Sequence, residues 1–211
     1  MRLSDVLLDG HGVGPVLKPK DLYLLEADLE IHPILAQKYD PFRLECNLMT
    51  GQSPTGRCVG IKGGDRDLAF TMKDESATLP RVTELMIISR AKTAPWCTIV
   101  RNEKGVTLAD VCGTLWKEYT ENPLTEAEFN LLNPRDKDKV QRLALRRESD
   151  GFASGLSGMW GVGNAVGYAR CRRIDCLFGK VYFDGLERDD DLAKEKLRFV
   201  APNVFVLRVS E

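Results

Sequence analysis

The sequence is short of the residues from which most catalytic and metal sites are built. Its 211 residues hold only two histidines, His11 and His32. Six cysteines are present, yet no two stand in C-x-x-C spacing. A structural zinc site ordinarily joins closely spaced cysteine pairs with further Cys or His. No metal and no cofactor is therefore expected. A G-x-S-x-G nucleophile turn is missing; GFASG (151–155) and GLSGM (155–159) both depart from it. There is no G-K-[ST], and GVGNAVG (161–167) carries Val166 where a dinucleotide loop needs its third glycine.

Excess charge of either sign is lacking too. Thirty basic residues face 31 acidic ones, a net charge of -1, so nothing draws the whole molecule to nucleic acid or to an anionic membrane. Arg135, Lys139, Arg142 and Arg146 fall on one side of a helical stretch. Asp136, Asp138 and Glu148 interleave with them, and no aromatic residue stands among them to stack on bases. Nucleic acid is not an expected partner. No apolar run approaches the roughly 18 residues of a membrane span. The opening MRLSDVLLDGHG has an apolar run only from Val6 to Leu8, too short for a signal-peptide core. No asparagine begins an N-x-[ST] sequon. The expectation is an intracellular protein, cytoplasmic or nuclear and not secreted, with its thiols reduced.

What is present is the composition of a soluble globular protein, 43% hydrophobic and 29% charged. FRLECNLM (42–49) alternates, with Phe42, Leu44, Cys46 and Leu48 on one face, as a half-buried strand does. RVTELMIISR (81–90), WCTIVR (96–101) and NVFVLRV (203–209) are β-branched runs and read as strands. Between the second and third of these lie three helical patterns. In the first, Leu108, Val111, Cys112, Leu115 and Tyr119 recur at helical spacing, with Thr107 as N-cap and Asp110 completing a capping box. The second starts at Thr125 with Glu128 three residues on. The third starts at Asn133-Pro134, ends near Gly151, and has a narrow apolar stripe of Val140, Leu143 and Ala144. Strands, then helices, then strands predicts an α+β fold. The expected sheet is mainly antiparallel, of about five to six strands, interrupted by the three-helix insertion. Residues 1–30 read as an N-terminal arm and 31–211 as a single domain, with long glycine-rich segments at 50–75 and 151–168.

CRRIDCLFGKVYFDGL (171–186) gathers cysteines, arginines and aspartates. Gly179-Lys180 fits a two-residue turn, which predicts a hairpin pairing 171–178 with 181–185. That register buries Ile174, Cys176 and Phe183, and sets Asp175 opposite Asp184. Facing carboxylates can share a proton or hold a cation. They are the candidate catalytic pair, with His32 (in EIHPIL) or Asp110 as helpers. The plainer alternative is a solvated rim neutralised by Arg173. Cys171 and Cys176, five apart, point to opposite faces of a strand and are not expected to bond. In GFASGLSGMWGVGNAVG, Phe152, Leu156, Met159 and Trp160 recur near helical spacing among glycines that weaken a helix. They are the candidate partner-binding residues.

Several segments together resemble a family. IHPIL with RLECNL, then ATLPRVTELMIIS, PWCTIV, GVTLADVCGTL, PLTEAEF and RRIDCLFGKVYFDGL resemble, in order, the blocks of a fungal, basidiomycete-type family of domains of unknown function. The resemblance covers roughly residues 31–208. It implies one folding unit and a fungal, intracellular origin, with 50–75 and 151–168 as expansions; it carries no activity, cofactor or catalytic residue. The function expected is a non-catalytic protein-interaction or structural module. It would bind a protein partner or itself. The alternative is an enzyme working through Asp175 and Asp184.

Overall fold

In the computed structural model of the chain, the described residues are 14–39, 42–50, 57–60, 72–153 and 167–211; side chains at 42, 43, 45, 57–60, 150–153 and 167 are outside the description. At the centre is a four-stranded sheet made of β5 (Glu84–Ser89), β6 (Cys97–Arg101), β7 (Tyr182–Glu187) and β8 (Val204–Ser210), in the order β6-β5-β8-β7. Its inner strands, ELMIIS and VFVLRVS, are rich in apolar residues, which suits burial on both faces. Two small antiparallel pairs flank it: β1 (Glu30–Ile31) with β4 (Thr78–Leu79), and β2 (Phe42–Glu45) with β3 (Arg57–Gly60). Before β1, α1 (Pro19–Leu24) buries Leu22 in the main core.

The α+β class holds. The sheet is not the mainly antiparallel array of five to six strands that the sequence suggests. β5 pairs antiparallel with β6, and β7 with β8, but β5 and β8 at the centre run parallel. The reason is connection length. A parallel pair needs a long crossover, and everything between Ser89 and Val204 supplies one.

Three helices lie within that crossover: α2 (Leu108–Thr120), α3 (Glu126–Leu131) and α4 (Pro134–Ala153). Both capping boxes form, Thr107 with Asp110 and Thr125 with Glu128. α2 lies against β6 and buries Leu108, Val111, Cys112, Leu115 and Tyr119, the whole stripe read from the sequence. α4 buries Val140 and Ala144 and leaves most of its surface in water. α5 (Asp190–Leu197) covers part of the second face of the sheet, where Ala193 meets Ile88, Val204 and Val206.

The expected hairpin does not form. Arg173–Leu177 is a 3-10 helix, Phe178 and Gly179 take positive φ, and β7 pairs with β8 instead. The other edge of β7 is bonded by non-strand chain: Phe183 N–H donates to Cys46 O at 2.9 Å and Leu186 N–H to Leu35 O at 2.7 Å. Two things defeat a strand at 171–178. Ile174, Asp175, Cys176 and Leu177 are buried in succession, which a hairpin strand with one solvated face cannot do. The Asp175 carboxylate also accepts the Arg172 N–H at 2.8 Å, a local bond that bends the chain. Ile174, Cys176 and Phe183 are nonetheless buried.

Candidate functional site

The 3-10 turn brings Asp175 into the interior, 3% exposed. Arg147 of α4 meets it with two parallel bonds, Nε to Oδ1 and Nη2 to Oδ2, both 3.1 Å, and also donates to Arg170 O. The planar guanidinium suits this forked geometry. Asp175 is therefore neither opposite Asp184 nor on a solvated rim, and Arg173 is not its counter-ion. Arg173 instead sits between Glu118 and Glu128, with its guanidinium 4.8 Å from the centre of the Trp96 ring. Desolvation pulls the Arg173 pKa below its ordinary value. Arg172 donates to Thr120 O, and Lys139 stands 4.1 Å above the Phe178 ring. Arg142 pairs with Asp138 at 2.5 Å. These basic residues join one element to another or pair within a helix.

His32 is 2% exposed. Its Nε2 is 3.1 Å from Glu75 Oε2, and its Nδ1 accepts the Ile34 N–H at 3.1 Å. With Nδ1 an acceptor, the proton belongs on Nε2, directed at Glu75. Burial holds the ring's pKa below its ordinary value, although Glu75 opposes this. Asp110 Oδ2 accepts from Thr107 N–H, Thr107 Oγ1 and Asn102 Nδ2 at 2.6 to 2.9 Å. Asp184 lies on β7 beside a bulge between Phe183 and Gly185. Its carbonyl accepts from Arg208 Nη2 at 2.7 Å. Gly185 has φ +110, and a Cβ there would come within 3.1 Å of Leu35 O and of Arg208 Nη2. Only glycine fits this close approach.

Beside that bulge is a cleft of about 360 Å³. Ile31, Ala36 and Leu186 line it with Lys38, Arg188 and Arg208. Arg188 is paired with Asp28 and Asp190, and Arg208 reaches Glu187 at 3.6 Å. Cys171 and Cys176 are both buried free thiols, pushed up to about 11 and about 12 by burial. Cys46 is also buried. Its thiol is pulled below the ordinary value by a hydrogen bond with Cys112, against the effect of burial.

Among the described residues no three His, Cys, Asp or Glu side chains gather as a metal set, and no helix is long and apolar enough to cross a membrane. Leu156, Met159 and Trp160 lie outside the described residues. Phe152 is within α4 by its backbone, but its side chain is outside the description. Sequence reasoning missed Arg147. The signal was present, because Arg147 continues the Val140–Ala144 stripe at helical spacing and so faces the core.

The model of a family of unknown function, DUF6699, matches residues 42–192. The chain belongs to that family. The DUF6699 match begins with β2 and ends inside α5, so it contains Asp110, Asp175, Asp184 and Arg147. It leaves out His32, β8 and Arg208. It is shorter at both ends than the resemblance over 31–208. No curated protein and no solved structure matches.

Proposed function

We propose that this DUF6699 chain is a non-catalytic protein-interaction or structural module. The observation that carries the reading is how its acid–base side chains are used. His32 has both ring nitrogens in hydrogen bonds, Asp110 is a helix cap, and both oxygens of Asp175 are held by Arg147. Each of these groups holds scaffold together, and a general acid or base must instead exchange its proton freely. An enzyme built on Asp175 and Asp184, with His32 or Asp110 assisting, would have to break those bonds first. The fungal, intracellular setting belongs to the same proposal and is supported by the ordered blocks of the resemblance. So does the division into an arm, 1–30, and a domain, 31–211.

The partner-binding segment in this reading is 151–168, with Trp160 as anchor and Phe152, Leu156 and Met159 around it. Tryptophan is enriched among residues that dominate interface energy. Trp160→Ala tests it. The expected outcome is unchanged stability in chemical denaturation with loss of the protein that co-purifies from the native source. Lower stability with the same co-purifying set overturns the reading, because Trp160 then serves the chain's own packing. Identification of a turned-over small molecule in the native preparation would favour the enzyme.

A further inference from the structure

Among the described residues, one edge of the central sheet is open. β6 is the outermost strand on its side, and no described residue bonds to its outer edge. Natural edge strands are usually blunted by proline, a bulge, lysine or a covering segment. CTIVR has none of the first three.

The bonding parity of β6 follows from β5. Met86 N–H donates to Asn203 O, toward β8, and Glu84 O accepts from the Asn203 side chain on that same side. Residues 84, 86 and 88 therefore direct their backbone groups at β8, and Leu85 and Ile87 direct theirs at β6. Their partners there are Val100 and Thr98. Alternation then turns the N–H and C=O groups of Cys97, Ile99 and Arg101 outward. These three residues are symmetric about Ile99.

We propose that the chain self-associates edge to edge through β6, antiparallel, about a two-fold axis at Ile99. The occupant of the open edge is a second copy because the strand is complementary to itself. With Ile99 opposite Ile99 of the second copy, Cys97 faces Arg101 and Arg101 faces Cys97. All three outward residues on each strand then find hydrogen-bonded partners, an isologous contact of the closed kind. A slip of two residues in either direction loses one of the three pairs. The side chains agree with this register. Ile99, 40% exposed, meets its own copy. Arg101, the one charged residue of β6, is held by Glu84 at 2.7 Å. The two Arg101 side chains stand at opposite ends of the ladder, roughly 13 Å apart along the strand, beyond the Debye length of physiological salt. Thr98 and Val100 remain in the core. The product is one continuous sheet of eight strands. The contact draws on no residue of 151–168, so the proposal stands or falls independently of the module reading.

The test uses the purified full chain under reducing conditions. Sedimentation equilibrium from micromolar to near-millimolar concentration is expected to show monomer and dimer. Hydrogen exchange over the same range is expected to slow at the amides of Cys97, Ile99 and Arg101 as concentration rises. Thr98 and Val100, already bonded to β5, stay unchanged. Ile99→Lys places like charges face to face and should weaken the dimer by roughly two- to thirtyfold. Ile99→Pro removes only an outward N–H, which an edge strand tolerates; it should abolish the dimer and keep the circular dichroism spectrum. A monomer at every concentration overturns the proposal. So does a dimer in which the three amides exchange as in the monomer, or one that survives both substitutions.

Discussion

Asp175 takes a carboxylate to a place where water does not reach, and three N–H groups meet it there, two from Arg147 and one from the Arg172 backbone. Breaking such a buried pair leaves an uncompensated charge. Asp175→Asn should cost about 3 kcal/mol in urea denaturation. Replacing both partners, Asp175→Leu with Arg147→Met, should recover much of that, since an apolar pair of similar size needs no hydration. If the double variant is as unstable as the single, the bond to Arg172 N–H is the larger part of the role of Asp175. His32 gives a dependence on pH. Its folded pKa lies below the ordinary value near 6.5, chiefly from burial. As pH falls below that value, the unfolded chain takes up a proton that the folded chain refuses, so stability drops; above it the contribution is constant. His32→Gln should therefore be less stable than the native chain at neutral pH. The gap should narrow as unfolding is measured at successively lower pH, and a gap independent of pH counts against the assignment. At this scale the sequence was poorly legible. It showed which residues were charged, and it could not show that Asp175 and Arg147, 28 positions apart, form one ion pair.

Elements were more legible where a local rule decided them. α2 has a cap, a capping-box acid and a five-residue stripe, and each of these appears in the structure because each depends only on neighbours within a few positions. Leu115, with no exposed surface, is the natural probe. Leu115→Ala should cost about 2–5 kcal/mol in chemical denaturation; a loss under about 1 kcal/mol would mean that this face is loosely packed. Thr107→Ala should cost about 1 kcal/mol through the cap alone. The segment 171–186 went the other way. Its glycine-lysine turn and apolar residues satisfied the rules of a hairpin, yet the competing strand, β8, lies more than 20 residues downstream of Val181. A tertiary partner outbid a local turn, which is the general weakness of reading strands one segment at a time.

At the scale of the whole molecule, the sheet is ordered by its late-arriving strand. β8 stands between β5 and β7 and bonds to both. A chain ending at Leu197 keeps every α-helix of the described residues, but it should fail to fold cooperatively; circular dichroism with urea is expected to show no sharp transition. Retained cooperative unfolding would mean that the helices and the β5–β6 pair form a unit without it. The parallel centre was invisible in the sequence because strand order is set by which edges meet, and composition says nothing of that. The position of β8 also bears on how the protein is made. About 115 residues separate Ser89 from Val204, and a ribosome adds roughly 5–20 residues per second. For roughly 6 to 23 seconds the nascent chain carries β5 with its inner edge bare, Met86 and Ile88 uncovered and no β8 yet synthesised. Chains on the same polysome share that interval, and the bare edge of one is a template for the other, a hazard that ends only when β8 arrives to occupy it.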